Sequence, residues 1–132
     1  MAHYLDTSAL VKLVVPEPES EVLRRWMEAT DDVLLTSDLA RTELVRAVRR
    51  VRPEAAPLAR MVLDSLTVIR LGSGIFEDAA RLDPPDLRSL DALHLAAALA
   101  LEDDLQGVVT YDDRLARATR LLGFTAIAPG ID

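Results

Sequence analysis

The sequence predicts an α/β domain: one central parallel β-sheet with α-helices on both faces. Three observations predict it. Short apolar runs alternate with segments of helical periodicity in the order β–α–α–β–α–α–β–α–α–β–α–β, the order of a parallel sheet covered by helices. The length of 132 residues fits one domain over residues 1–132. Half of the residues are hydrophobic, enough for a buried core, and no repeat, linker or low-complexity tract divides the chain.

The elements follow from local chemistry. Residues 2–6 (AHYLD) read as a short buried strand ending on a carboxylate. Thr7 and Ser8 are N-cap candidates for a helix through SALVKLVV, which Pro16 and Pro18 break. Glu19 to Thr30 reads as an amphipathic helix with Val22, Leu23, Trp26 and Met27 on one face. Asp31-Asp32 turns the chain into the strand VLLTS. Ser37 or Asp38 can cap the helix LARTELVRAVRRV, whose stripe is Leu39, Leu44, Val45 and Val48.

Pro53 suits a first helical turn, and Leu58, Met61, Val62 and Leu66 would form the buried face of the helix that follows. TVIRL is a third strand. Gly72 to Leu82 is a turn and a short helix, and Asp83 to Asp86 is a loop. LRSLDALHLAAALALEDD predicts a long, Ala-rich, largely buried helix. GVVTYD is a fourth strand, again ending on an acid. RLARATRLLG is a helix closed by Gly123, and FTAIAP is a last strand.

Composition excludes several classes. With no cysteine there is no disulfide framework, thiolate zinc site or cysteine nucleophile. The start, MAHYLDTSAL, has neither the basic region nor the long apolar run of a secretory signal. The low-charge run Ala92 to Leu101 is too short to span a bilayer, so a soluble cytoplasmic protein without membrane contact is expected. The net charge of −7 argues against nucleic-acid binding by a broadly basic surface. The charge is uneven, however: Arg41 to Arg60 carries a net +4, and an anionic substrate would be read there.

Four acids stand out. In an open parallel sheet, ligands bind beyond the carboxyl ends of the strands. Asp6 and Asp112 end predicted strands at that edge, while Glu43 and Asp91 interrupt otherwise apolar or basic helical stretches. A carboxylate in such surroundings is costly unless paired or metal-bound. Clustered acids repel one another, and oxygen-only ligands select hard ions such as Mg²⁺ or Mn²⁺. A plainer reading exists for each. Asp6 and Asp112 can cap helices, Asp91 suits a helix dipole, and Glu43 can pair with Arg41 or Arg46. Spacing and helix physics do not separate the two readings.

The motifs YLDTSALVKL, ARTELVRA, SLDALHLAAA and VVTYDDRLARA, with a closing LGF and Pro, resemble the PIN-domain nucleases, and most of all the VapC toxins of bacterial VapBC toxin–antitoxin pairs. The resemblance spans nearly the whole chain with all four motifs in order. It implies catalytic acids at Asp6, Glu43, Asp91 and Asp112, with Asp6, Asp91 and Asp112 as metal ligands. Asp113, adjoining the last of them, could substitute or assist. It further implies Mg²⁺- or Mn²⁺-dependent cleavage of RNA, a homodimer or a larger toxin–antitoxin assembly, and a small VapB-type antitoxin that blocks the site.

Other residues carry two readings. Ser8 and Thr110 could support the carboxylates of Asp6 and Asp112 or serve only as caps and strand ends. Arg46, Arg49 and Arg50 could clamp RNA phosphates or form a solvated helix face. His94, one turn after Asp91, reads first as a hydrogen-bonded core residue and second as a group orienting a site carboxylate. Trp26 and Met27 are core candidates, with an antitoxin groove as the other reading. Two functions compete with the nuclease. An aspartate phosphatase with Asp6 as nucleophile would want a second Asp where Ser8 stands. A non-catalytic binding module would not require all four acids.

Overall fold

A computed structural model describes residues 1–131. Five strands form one parallel sheet in the order β3-β2-β1-β4-β5: β1 (Ala2–Leu5), β2 (Val33–Ser37), β3 (Thr67–Ile69), β4 (Leu105–Val109) and β5 (Ala126–Ile127). Seven helices connect and cover them among the described residues: α1 (Thr7–Val11), α2 (Ser20–Ala29), α3 (Leu39–Val51), α4 (Ala56–Asp64), α5 (Ser73–Ala80), α6 (Ser89–Leu99) and α7 (Asp113–Leu121). The predicted order of elements holds throughout.

β1 lies at the centre with all four residues buried, as a strand covered on both faces must be. Because side chains alternate across a strand, Leu5 and Val109 enter one core with α1–α4, while Tyr4 and Val108 enter the other beneath α5 and α6. Small residues let the second core close: Ala96, Ala97 and Ala98 on α6 are almost wholly buried. At Gly107 an added Cβ would stand 3.2 Å from the Thr125 carbonyl oxygen and 2.8 Å from Ile127 Cδ1, so a larger residue there would make the Ile127 side chain shift and crowd the β4–β5 approach. Gly123 ends α7 with φ +86°. Its N–H bonds to Arg120 O and that of Phe124 to Thr119 O, the paired bonds of a Schellman cap.

Several boundaries and one face differ from expectation. α1 stops at Val11, and three-residue turn bonds carry the chain to the β-branched Val14-Val15 and then Pro16. α4 begins at Ala56 after a 3₁₀ turn at Pro53–Ala55 and buries Ala59 and Leu63, with Val62 and Leu66 only partly covered. Leu58 and Met61 face solvent, because contact with α3 rotates the helix away from the face its largest side chains suggest. Val22 is likewise exposed on α2. α6 ends at Leu99, and a 3₁₀ turn at Glu102–Asp104 leads into β4. β4 ends at Val109, three residues before Asp112, and β5 keeps only Ala126–Ile127. Among the described residues no helix is long and apolar enough to cross a membrane.

Candidate active site

The strand order places the site. From β1 the chain moves outward to β2 and β3, then returns to the other side of β1 as β4 and continues to β5. The point where the order reverses lies between β1 and β4, where open α/β sheets leave a crevice at their carboxyl ends. The Asp6 N–H bonds to Val109 O at 3.2 Å, so Asp6 and Thr110 leave the sheet side by side.

Asp6 is buried, and both carboxylate oxygens are engaged. Oδ1 accepts from Ser8 Oγ at 2.7 Å and from the Ala9 amide at 3.1 Å, and Oδ2 accepts from Thr110 Oγ1 at 2.7 Å. Ser8 Oγ also accepts from the Tyr111 N–H, and Thr110 Oγ1 from the Asp112 N–H, so the hydroxyls stitch the end of β1 to the start of α7. Asp6 therefore caps α1 and fixes the centre of the crevice at once. Burial dominates its titration and raises its carboxyl above the ordinary aspartate range, despite the bonds from Ser8, Thr110 and Ala9 and the charge of His94.

Glu43 comes from α3 and is partly buried. Its Oε1 accepts from Thr7 Oγ1 at 2.8 Å and lies 2.6 Å from His94 Nε2, while no bond engages Oε2 among the described residues. Behind it, His94 Nδ1 lies 2.7 Å from the Tyr4 hydroxyl, which donates to Ser37 Oγ at 2.7 Å. Both ring nitrogens of His94 thus have oxygen partners, and the ring links Glu43 to Tyr4. Burial pushes Glu43 up, but the bonds and charge of His94, with Thr7, outweigh it and hold Glu43 below the ordinary glutamate range. The predicted pairing of Glu43 with Arg41 or Arg46 does not form, since Arg41 bonds to Asp38.

Asp91 sits in the first turn of α6 and is partly buried. Its carboxyl is raised by burial first, then by the negative charges of Asp112 and Asp6, with a smaller push from Glu43. Asp91 therefore feels the other three acids although the four come from separate segments. Asp112 caps α7, its Oδ1 accepting from the Arg114 and Leu115 amides at 2.8 and 3.2 Å. Asp113, the exposed first residue of α7, is not among the charges that perturb Asp91, so Asp112 faces the cluster.

The structure links Asp6 to Asp112 through Thr110 and bonds Glu43 to Thr7, the residue after Asp6; the charges of Asp112, Asp6 and Glu43 reach Asp91, and Ser8 and Thr110 bond to Asp6. Arg46 and Arg50 line a cavity that reaches Glu43, and with Arg49 and Pro53 they also line an adjoining groove; Arg49 does not line the first cavity. Trp26 and Met27 are half-buried against the core, and Trp26 meets His3 edge-on at 4.8 Å. Sequence reasoning missed Thr7, Tyr4 and Ser37 as partners in the site. The hydroxyl of Thr7 was legible only as a cap, and the Tyr4–His94 contact joins residues 90 positions apart.

The donors suit a hard divalent cation. They are carboxylate oxygens in partly dry surroundings, and Asp91 is raised by burial first and by the charges of Asp112 and Asp6 second. Among the described residues, no three acids or histidines stand together closely enough to hold a metal ion as they are placed. Two oxygens of Asp6 and one of Asp112 are instead held by hydroxyl and amide donors.

The PIN domain family matches residues 3–121. Ribonuclease VapC47 of Mycobacterium tuberculosis (strain CDC 1551 / Oshkosh) is 43% identical over 131 residues, covering 96% of each chain. Ribonuclease VapC46 of Mycobacterium tuberculosis (strain ATCC 25618 / H37Rv) is 44% identical, covering 97% of this chain and 98% of its own. Among solved structures, the sarcin-ricin loop cleaving toxin VapC20 of Mycobacterium tuberculosis superposes with a TM-score of 0.77 at 20% identity, over 96% of this chain and 99% of that one. A toxin–antitoxin complex from Klebsiella pneumoniae gives 0.75 at 19% identity, over 96% and 97%. At those identities the structures bear on the fold, while the relatives above 40% bear on the family. The chain belongs to the PIN-domain family, in its VapC ribonuclease branch.

Proposed function

We propose that the protein is the toxin of a type II toxin–antitoxin pair and that it hydrolyses RNA phosphodiester bonds with Mg²⁺ or Mn²⁺ at the crevice between β1 and β4. The observation that carries this is Asp91, a half-buried carboxyl raised first by burial and then by the charges of Asp112 and Asp6, with a smaller push from Glu43 against the lowering charge of His94. Acids held in such mutual repulsion are costly to stability and are explained by a cation that they share.

Asp6, Asp91 and Asp112 would hold the ion. When bound, it supplies a lowered water pKa and charge neutralisation at the scissile phosphate. The chain's own residues do the rest. Ser8 and Thr110 fix the Asp6 carboxylate, so its position is set before substrate arrives. Thr7 and His94 hold Oε1 of Glu43 and keep the carboxylate ionised, leaving Oε2 to accept a proton from attacking water. Arg46 and Arg50 would receive phosphates flanking the scissile bond. A covalent role for Asp6 is disfavoured because hydrogen bonds engage both of its oxygens. A small antitoxin of the VapB type would silence the site, and two copies of the chain would form the active toxin.

The test is RNA cleavage by the purified chain with Mg²⁺, with Mn²⁺ and with EDTA, beside Asp6→Asn and Asp91→Asn. Cleavage in either metal that EDTA and both substitutions abolish is the expected result. Cleavage persisting in EDTA, or in both variants, would overturn the reading.

A further inference from the structure

A cavity of about 680 Å³ opens beside the acids. Arg46 and Arg50 of α3, Phe76 of α5 and Leu90 of α6 line it, and Thr7 and Glu43 join it to the acidic crevice. Its size falls within the range of small-ligand sites, roughly 300–1,000 Å³, and leaves room for a nucleotide.

Two features set it apart from an ordinary surface gap. Phe76 is 50% exposed, whereas Tyr4, Trp26, Tyr111 and Phe124 are buried or half-buried. It also borders a second cavity, lined by Ala79, Leu82 and Leu93 among others, so the ring stands on a ridge between the two. Leu90, beside Asp91, is equally exposed at 50%. Secondly, Arg46 and Arg50 make no ion pair among the described residues, although neighbouring Arg41 and Arg52 pair with Asp38 and Glu54. Two uncommitted guanidiniums next to an open aromatic ring match a ligand that is both flat and anionic. In a chain of net charge −7, that combination is concentrated at the mouth of the acid cluster.

We propose that this cavity is a base-stacking subsite for single-stranded RNA, in which Phe76 stacks on an unpaired base next to the scissile phosphate while Arg46 and Arg50 hold the adjoining phosphates. The proposal rests on the nuclease reading and extends it to the substrate's form. Every base presents a π-face, so stacking here selects unpaired nucleotides without reading a particular base. A double helix keeps its bases stacked inside and cannot offer one to Phe76. The subsite therefore favours loops and single strands.

The probe is a fluorescently labelled single-stranded oligoribonucleotide carrying 2-aminopurine, with a matched strand that is abasic at that position. Binding to the full chain is read by anisotropy, and stacking by quenching of 2-aminopurine. Both are measured in Ca²⁺, which occupies carboxylate oxygens as a hard cation does. Phe76→Ala should weaken binding of the base-containing strand roughly 5- to 150-fold and remove the quenching. Phe76→Trp should restore both, and the abasic strand should bind wild type and Phe76→Ala alike. Because Phe76 is half-exposed, the alanine variant should remain folded, which circular dichroism checks.

Four results would overturn the proposal: no binding of either strand by wild type, equal binding of the base-containing strand by wild type and Phe76→Ala, an equal loss on the abasic strand, or a Phe76→Ala defect confined to the antitoxin complex. The last would assign the cavity to a protein partner. Failure of the nuclease reading appears separately, as absence of Mg²⁺- or Mn²⁺-dependent cleavage, because these readouts need no turnover.

Discussion

Replacing His94 with alanine tests how the site is supported. The ring is buried, with a side-chain exposure of 3%, and joins Glu43 Oε1 at 2.6 Å to the Tyr4 hydroxyl at 2.7 Å. Leaving one partner of a buried hydrogen bond unsatisfied costs about 1–3 kcal/mol, and more when that partner is a carboxylate. Glu43 retains 26% exposure and the bond from Thr7, and Tyr4 keeps Ser37, so water and these neighbours recover part of the loss. An expected cost of about 1–3 kcal/mol remains, a large share of the ~5–15 kcal/mol that holds such a domain.

The pH dependence of that cost follows from Glu43. Its folded carboxyl titrates below the ordinary 4.5, so at acid pH the unfolded chain binds more protons there than the folded one. The contribution of the pair is complete above the unfolded value and is lost as pH falls through the folded one. Urea unfolding of wild type and His94→Ala at neutral pH should show the full difference in midpoint, and the two curves should converge well below pH 4.5. A difference under about 1 kcal/mol at neutral pH, or one that stays constant into acid, would refute the pairing argument.

Asp6→Asn should stabilise the metal-free fold while abolishing cleavage. The folded carboxyl is raised, so ionised Asp6 opposes folding increasingly as pH climbs through the unfolded value toward the folded one, and the asparagine variant should lose that slope in EDTA melting curves. Substituting Arg46 or Arg50 with alanine should reduce the salt slope of single-stranded RNA binding by roughly 0.7 for each phosphate that is no longer neutralised. Arg49→Ala should change it less, because Arg49 does not line the cavity that reaches Glu43.

The fold was legible because period and punctuation agree along most of the chain. VLLTS is a strand between an acidic turn and a helix, and it folds as Val33–Ser37. Gly123 after RLARATRLLG closes α7 as its position predicts. The failures are tertiary. The face of α4 is set by contact with α3 and not by its largest side chains, so Leu58 and Met61 turn outward. Asp112 stands after a two-residue extension instead of at the strand end, because Thr110 and Tyr111 are tied to Asp6 and Ser8.

Of the site, the four acids could be named from motifs, but their mutual repulsion could not. Asp6 and Asp112 do cap helices, so the plainer reading and the functional one hold together. His94 was ambiguous because both of its partners are distant in sequence. The basic surface was also drawn too narrowly: Arg114, Arg117 and Arg120 stand exposed at threefold spacing on α7, outside the +4 stretch that charge counting picks out.

The chemistry of the cut ends bears most directly on the central claim. Attack by water with the acids and their cation yields a 5′-phosphate and a 3′-hydroxyl, whereas a metal-free cut through the RNA 2′-hydroxyl leaves a 2′,3′-cyclic phosphate. Mass spectrometry of oligoribonucleotides cleaved by the purified chain in Mg²⁺ or Mn²⁺ should find 5′-phosphate and 3′-hydroxyl termini that vanish in Asp91→Asn. Cyclic phosphate ends, or 5′-phosphate ends that survive that substitution, would contradict the account.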